Sequence, residues 1–241
     1  TLELGGKSAN IVFDDADLDQ AVNGAVSGIF AASGQTCIAG SRLLLQDSIH
    51  DAFLERLVDM AKTAQLGNPM SEETQIAPIA NESQYFKILE YIDIAKAEGA
   101  RCVLGGGPGI APGKHQGLFV MPTIFAGVKN SMRIAQEEVF GPVLSVIRFK
   151  DEAEAIAIAN DIDYGLAAGI WTKSLNRAIN VSERLQAGTI WVNTYRSTSY
   201  TTPFGGYKLS GLGRENGQEA IKEYLQVKSV WLHTGEATQN P

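Results

Sequence analysis

The sequence alternates short apolar runs with longer segments in which apolar residues recur every three or four positions. Such runs are typical of buried strands, and the periodic segments are typical of amphipathic helices. Parallel strands need long crossover connections, which helices usually supply. The predicted strands and extended segments are 42–46, 101–104, 118–125, 143–149, 166–172 and 189–193, and the predicted helices begin near 18, 48, 83, 152 and 175. The pattern therefore predicts an α/β fold with a mainly parallel sheet covered by helices.

Several boundaries follow from the residues at the ends of these segments. The first helix is predicted to run toward Gly34, and Ser48 is predicted to cap the second helix, which ends at 67–69. Residues 222–231 alternate weakly between apolar and polar, which favours a terminal strand. We therefore predict a catalytic domain at 1–221 and a strand with a polar tail at 222–241. This strand pairs either in its own sheet or with another subunit.

The composition excludes several classes of protein. Of the 241 residues, 44% are hydrophobic, which is enough for a sizeable core in one domain. The formal net charge of -7, with no block of Lys or Arg, argues against a nucleic-acid or anionic-membrane surface. The longest apolar stretches fall far short of the roughly 20 residues that span a bilayer. The two cysteines give no secreted disulfide framework, so we expect a cytoplasmic location.

One of the two cysteines, Cys37, lies in the segment SGQTCIAG at 33–40, where a glycine interrupts the preceding helix. A cysteine in a loop of small residues is accessible, and thiolates are strong nucleophiles. The alternative is a buried, inert cysteine, because free cysteine packs as a small hydrophobic side chain. Cys102 receives that interpretation, since it lies in a predicted apolar strand.

A carboxylate at Glu3 precedes two glycines, which let the backbone turn sharply and leave the side chain beside open space. A thiol nucleophile needs a proton acceptor, and a thioester needs an activated water for hydrolysis. One carboxylate can serve both steps. Without a hydride acceptor, the same pair suffices for a cysteine esterase or an acyl-transfer domain. A further alternative is an inactive module that contributes mainly to assembly.

Five motifs in consecutive order resemble the aldehyde dehydrogenase family. They are LELGGK at 2–7, GQTC at 34–37, EEVFGP at 137–142, WVN at 191–193 and PFGGYKLSGLGRE at 203–215. The resemblance implies the catalytic portion of such an enzyme, without most of the N-terminal cofactor-binding domain. A start at Thr1 without an initiator Met agrees with a piece of a longer protein. We expect this piece to lack full activity and to form homo-oligomers, because the absent half leaves apolar surface uncovered.

The resemblance implies NAD- or NADP-dependent oxidation of a small aldehyde to a carboxylic acid. In the family, the cysteine that Cys37 matches attacks the aldehyde carbon and forms a thiohemiacetal, from which hydride leaves for the nicotinamide. The glutamate that Glu3 matches activates the water that hydrolyses the remaining thioester. The backbone N–H of Cys37 is expected to hold the oxyanion, together with an asparagine that lies upstream of Thr1 in the family.

The same resemblance assigns further residues to the cofactor and the substrate. Glu138 matches the residue that holds the nicotinamide ribose, Phe140 packs near the nicotinamide ring, and the backbone of Leu4 meets the carboxamide. Glu215 matches a proton-relay residue, with a salt bridge to Arg214 as the alternative. The predicted substrate pocket is formed by Thr36, Ile38, Arg196, Ser197, Thr198 and Phe204.

Among the pocket residues, Arg196 carries the prediction about the substrate. A guanidinium binds a carboxylate through two parallel hydrogen bonds, so Arg196 favours a carboxylate-bearing or otherwise polar aldehyde. Neither glycine-rich segment, 105–109 or 211–216, matches the G-x-G-x-x-G fingerprint. The family resemblance implies that NAD or NADP binds mainly to the absent N-terminal domain. His50, His115 and His233 do not have metal-ligand spacing, and no metal site is expected.

Overall fold

The chain, in a computed structural model that describes residues 1–111 and 117–235, is organised around a sheet of seven strands. The helices are α1 (Leu18–Phe30), α2 (His50–Ala61), α3 (Glu82–Ala97), α4 (Arg133–Gln136), α5 (Glu152–Asn160) and α6 (Leu175–Arg184). The strands are β1 (Leu2–Glu3), β2 (Ala9–Val12), β3 (Arg42–Gln46), β4 (Arg101–Leu104), β5 (Thr123–Ala126), β6 (Val143–Phe149), β7 (Tyr164–Gly165), β8 (Ala167–Trp171), β9 (Thr189–Val192), β10 (Tyr207–Lys208) and β11 (Gly211–Leu212). His115 lies outside the described residues.

The seven-stranded sheet has the order β4-β5-β6-β3-β2-β8-β9. All neighbours run parallel except the edge pair β4 and β5, which is antiparallel. The predicted α/β fold with a mainly parallel, helix-covered sheet is confirmed. Strand β2, which lies between β3 and β8, has no counterpart among the predicted strands, because its four residues include the polar Asn10. The Asn10 side chain accepts a hydrogen bond from Trp171 Nε1 at 2.8 Å.

Alternate residues of the central strands enter two separate cores, as the period of a strand requires. Ile11 and Leu44 belong to the core beneath α3, α4, α5 and α6. Val12, Leu43 and Leu45 belong to the core beneath α1 and α2. The molecule therefore has three layers, with helices on both faces of the sheet. None of the described helices is both long and apolar enough to cross a membrane.

Three boundaries of the first two helices differ from those predicted. Helix α1 ends at Phe30, because Ala32 and Ser33 adopt left-handed φ angles of 53° and 56°. Helix α2 begins at His50 after Ile49, with no side-chain cap, so the predicted capping role of Ser48 is wrong. This helix also ends at Ala61, earlier than the predicted 67–69.

Two short antiparallel pairs lie outside the main sheet. Strand β1 pairs with β11, which places Glu3 opposite Gly211, and β7 pairs with β10. Both pairs join residues that are far apart in sequence. They connect the PFGGYKLSGLGRE segment to the start of the chain and thereby position Glu3.

The C-terminal segment forms no strand among the described residues. Residues 219–224 form a 3₁₀ helix, and 225–235 have no regular structure. The prediction of a strand in the chain's own sheet is wrong, because no strand of the chain lies beside this exposed segment to accept its backbone hydrogen bonds. Pairing with another subunit stays a prediction, and residues 236–241 of the predicted tail lie outside the described part.

Candidate active site

Cys37 lies in the turn that connects α1 to β3. The φ angle of Gly34 is +71°, and a Cβ there would come within 2.1 Å of the Gly141 carbonyl oxygen. The hydroxyl of Ser33 donates to the Ala77 carbonyl at 2.8 Å and accepts from the Ala77 N–H at 2.9 Å. The left-handed backbone and these contacts leave the Cys37 thiol half-buried rather than enclosed.

Glu3 lies next to this thiol. Burial, together with the hydrogen bond and the negative charge of Glu3, raises the pKa of the Cys37 thiol to about 12. The backbone N–H groups of Cys37 and Ile38 act in the opposite direction. The resting pair therefore consists of a neutral thiol beside a carboxylate. The two backbone N–H groups are directed toward the Cys37 sulfur.

A cleft of about 720 Å³ opens at Cys37. Five of the six predicted pocket residues line it with Cys37, namely Thr36, Ile38, Ser197, Thr198 and Phe204. Trp191, Ile190 and Asn216 add to its walls. The cleft thus combines apolar walls with hydroxyl and amide groups, the composition typical of a small-molecule site.

Arg196 does not line this cleft. Its Nη1 donates to the Ala31 carbonyl at 3.3 Å, and its φ angle is 67°. The left-handed backbone turns the side chain toward the end of α1, so the prediction that Arg196 lies in the substrate pocket is wrong. The preference for an anionic aldehyde loses its basis.

The three predicted cofactor residues lie near the Cys37 turn. Glu138 Oε1 accepts from the Gly6 N–H at 2.9 Å, and a Cβ on Gly5 would come within 2.4 Å of Glu138 Oε2. Glu138 and Phe140 line a small crevice that shares Thr36 with the cleft. The glycines thus leave room for the carboxylate beside the nucleophile.

Backbone contacts hold the other two cofactor residues. Phe140 has a φ angle of 55°, and its carbonyl and that of Val139 accept hydrogen bonds from Gln84 Nε2 at 2.9 Å and 2.8 Å. Leu4, 48% exposed, donates its N–H to the Ser210 carbonyl at 3.0 Å. Both residues are therefore fixed by partners distant in sequence.

Glu215 lies at the edge of the cleft. Its backbone N–H and carbonyl pair with those of Phe204, each at 2.7 Å, and its side chain is exposed. Within the described residues it forms no ion pair with Arg214, whose Nη1 donates to the carbonyls of Gly206 and Gly213. The salt-bridge alternative is wrong, and the relay role stays a prediction.

Sequence reasoning missed Tyr195. Its hydroxyl donates to the Ile38 carbonyl at 3.0 Å. Its ring packs against three glycines, and a Cβ atom added at any of them would crowd the Tyr195 side chain. These glycines are Gly28, Gly40 and Gly169. The glycines were visible in the sequence, but nothing local indicated that one ring would contact all three.

Ser210 was also missed. This fully buried side chain donates to the Gly5 carbonyl at 2.7 Å and accepts from the Gly165 N–H at 2.9 Å. Ser210 thus connects the segment that follows β1 to strand β7.

No cluster of three or more potential metal ligands among His, Cys, Asp and Glu occurs in the part of the chain that the structure describes.

Comparison with known proteins identifies the family. The aldehyde dehydrogenase family model matches residues 1–230. A betaine aldehyde dehydrogenase from Mesorhizobium japonicum is 49% identical over 98% of the chain, and an aldehyde dehydrogenase from Emericella nidulans is 50% identical over 98%. The chain covers 48% and 47% of these two proteins, so it spans about half the length of the curated relatives it matches.

Solved structures give the same result. A Staphylococcus aureus betaine aldehyde dehydrogenase mutant in complex with NAD⁺ superimposes with a TM-score of 0.92 at 46% identity, over 94% of this chain and 46% of that one. An aldehyde dehydrogenase from Pseudomonas aeruginosa superimposes with a TM-score of 0.91 at 45% identity, over 96% of this chain and 46% of that one. This chain belongs to the aldehyde dehydrogenase family.

Proposed function

We propose that this chain carries the catalytic centre of an NAD- or NADP-dependent enzyme that oxidises a small aldehyde to a carboxylic acid. The observation that carries the proposal is the Glu3 carboxylate acting on the Cys37 thiol at a cleft of about 720 Å³. A nucleophile, an adjacent base and a space for the substrate are the parts that this chemistry requires.

In the first step, Cys37 Sγ attacks the aldehyde carbon while Glu3 accepts the thiol proton. The Glu3 and Cys37 pair carries one negative charge before this transfer, so forming the nucleophile adds no further charge to the site. The aldehyde oxygen becomes an oxyanion, and the backbone N–H groups of Cys37 and Ile38 are suited to stabilise it.

A bound nicotinamide cofactor would supply the hydride acceptor that oxidation of the adduct on Cys37 to a thioester requires. Glu138 is suited to hold the cofactor ribose, since in the described part of the chain its Oε2 accepts no hydrogen bond while Oε1 is fixed by the Gly6 N–H at 2.9 Å. Relatives of this chain determined with NAD⁺ support a cofactor of this type.

Glu3 releases the thiol proton to solvent and then accepts a proton from water, whose oxygen attacks the thioester carbon. The carbon–sulfur bond breaks, the carboxylic acid leaves, and Cys37 recovers its proton. General-base assistance of this kind contributes about 10²–10⁴-fold to a rate.

Acyl transfer from p-nitrophenyl acetate tests the pair without a cofactor. We expect the wild-type chain to release nitrophenol weakly and to gain one acetyl group by intact mass. Cys37→Ser abolishes this labelling, whereas Cys102→Ser leaves it unchanged. Glu3→Gln retains the acetyl group for about 10²-fold longer or more, because deacylation loses its base. Labelling that survives Cys37→Ser would exclude Cys37 as the nucleophile.

Oxidation is tested by NADH formation with a panel of aldehydes. We expect little NADH from this chain alone, because proximity contributes ~7–11 kcal/mol only when the cofactor is held in line with the thiol. In the longer protein that contains this sequence, Cys37→Ser should abolish NADH formation. If the longer protein hydrolyses esters but reduces no NAD⁺ or NADP⁺ with any aldehyde, the esterase alternative replaces the dehydrogenase.

A further inference from the structure

A second cavity, which Leu166 helps to line, lies at the starts of β2 and β3. It offers about 20 Å³ to the centre of a water-sized particle. Roughly 10–15 Å³ is needed for one water molecule, so the cavity accommodates a single small ligand. Its polar side chains include Lys7, Arg42, Tyr164 and Asn160, and no carboxylate lines it.

Two buried cations face this cavity. Lys7 is 2% exposed and Arg42 is 1% exposed. Within the described residues, Lys7 Nζ has no hydrogen-bond partner. An ammonium with neither water nor an acceptor is costly to bury, which makes this atom the least satisfied polar group of the cavity.

The guanidinium of Arg42 is paired only with neutral acceptors. Nε donates to the Lys7 carbonyl at 2.9 Å, Nη1 to Asn130 Oδ1 and the Ile158 carbonyl at 3.0 Å each, and Nη2 to the Ala159 carbonyl at 2.9 Å. A guanidinium has five N–H groups, so one N–H of Nη2 is left.

The surrounding charges compensate these cations only from a distance. Burial lowers the pKa of Arg42 to about 10, and the charge of Asp161 acts against this effect. Asp161 is connected to Arg42 through Asn130, which donates to Asp161 Oδ2 at 3.0 Å. Glu138 and Glu137 raise the pKa of Lys7. Burial, followed by the charges of Arg42 and Lys87, acts against them and lowers the pKa of Lys7 to about 7. Lys208, which donates to the Asn160 carbonyl at 2.7 Å, adds positive charge nearby.

We propose that the cavity between Lys7 and Arg42 is a binding site for one small monovalent inorganic anion such as chloride. Its available donors include the Lys7 ammonium, the Ser8 hydroxyl, which within the described residues also has no hydrogen-bond partner, and the remaining Nη2 N–H of Arg42. No acidic side chain lines the cavity. A water molecule satisfies the hydrogen bonds but leaves the two positive charges uncompensated. An anion satisfies the hydrogen bonds and also compensates the charges. Because the anion stabilises the ammonium form, it binds below the pKa of Lys7 and dissociates as the pH rises above it.

Thermal unfolding in matched salts tests this site. The chain is melted in sodium chloride and in sodium gluconate of equal ionic strength, since gluconate is too large for the cavity. At pH 6, chloride at about tenfold its Kd should raise Tm by about 3–6 °C relative to gluconate. At pH 8.5 the difference should disappear. Equal Tm values in the two salts at pH 6 would mean that the cavity holds only water.

Two variants assign the effect to the cavity. Lys7→Met should remove the chloride dependence at pH 6, whereas Lys150→Met, at an exposed lysine, should retain it. A chloride effect that persists in folded Lys7→Met would place the anion elsewhere and overturn the proposal. Should Lys7→Met fail to fold, crystals of the unaltered chain grown in bromide at pH 6 decide the question. Anomalous density beside Lys7 Nζ is expected, and its absence would refute the site.

Discussion

At the scale of single residues, the Glu3 carboxylate opposes ionisation of the Cys37 thiol. Burial is the largest cause of the raised pKa of Cys37, and Glu3 adds to it through a hydrogen bond and its charge. A neutral resting thiol is protected from oxidation and alkylation, which attack the thiolate. The nucleophile forms when Glu3 takes the proton, so reactivity is restricted to a thiol that already contacts its base.

The pH dependence of alkylation tests this description. With Cys102→Ser as background, wild-type Cys37 should react with iodoacetamide at a rate that still rises at pH 10, because its pKa is about 12. Glu3→Gln should lower this pKa, and each unit of decrease raises the thiolate fraction at pH 8 about tenfold. Identical pH profiles for both proteins would show that Glu3 does not act on the thiol.

Tyr195 is predicted to position the nucleophile through the Ile38 carbonyl, to which its hydroxyl donates at 3.0 Å. Tyr195→Phe removes this hydrogen bond and keeps the ring against the three glycines. Loss of about 1 kcal/mol should slow acetylation of Cys37 roughly fivefold to tenfold. Tyr200→Phe, at an 86% exposed side chain of the same loop, is the matched control. A lower Tm with an unchanged acetylation rate would give Tyr195 a structural role only.

Much of the candidate site was predictable at this scale, because the motifs contain its chemical groups. Cys37, Glu3 and five pocket residues lie together as expected. The direction of Arg196 was not predictable, since it depends on a left-handed backbone angle at a residue other than glycine. Neither was the contact of Tyr195 with Ile38, which joins positions 157 residues apart.

At the scale of elements, the strands and helices with strong local patterns were predicted within a few residues. Strand β6 and helix α5 have the predicted bounds. Strand β2 was missed because the polar Asn10 interrupts its short apolar run, although it lies between β3 and β8 inside the sheet. Strands β1 and β11 have two residues each and exist only through their pairing.

The short helix α4 supplies a prediction about pH. Arg133 forms two hydrogen bonds with Glu137, from Nε at 2.7 Å and from Nη2 at 2.8 Å. These bonds, with one from Tyr91 and against the effect of burial, lower the pKa of Glu137 from 4.5 to about 2. Because the folded pKa lies below the unfolded one, the stabilisation is complete above pH 4.5 and is lost as the pH falls toward 2.

Glu137→Gln should therefore lower the free energy of unfolding at pH 7 by about 0.5 kcal/mol, a modest value because the pair is partly exposed. Urea titrations of both proteins should converge as the pH falls from 4.5 to 3. Glu90→Gln, at an exposed residue of α3, should show no such pH-dependent difference. A constant difference between wild type and Glu137→Gln across this range would contradict the linkage.

At the scale of the whole molecule, exposed apolar side chains concentrate in residues 221–232. They are Ile221, Tyr224, Leu225, Val227, Val230, Trp231 and Leu232, with exposures between 57% and 100%. Apolar surface of this kind usually marks an interaction site. The segment 226–232, which has no regular structure, is suited to pair with an edge strand of a second copy. We therefore propose that this segment mediates homo-oligomer formation.

Trp231 gives a direct measurement of that association. It is 94% exposed, whereas Trp171 and Trp191, the other two tryptophans, are buried. As the chain concentration rises, the Trp231 emission should shift to shorter wavelength and become less accessible to acrylamide, while size-exclusion chromatography reports a larger species. The Trp231→Phe variant should still associate but lack the emission shift, because it lacks the reporting tryptophan. The double variant Val227→Asp, Leu232→Asp should remain monomeric, because burying a charged side chain in an apolar interface is unfavourable. A wild-type chain that elutes as a monomer, with Trp231 quenched equally at all concentrations, would exclude this segment as an interface.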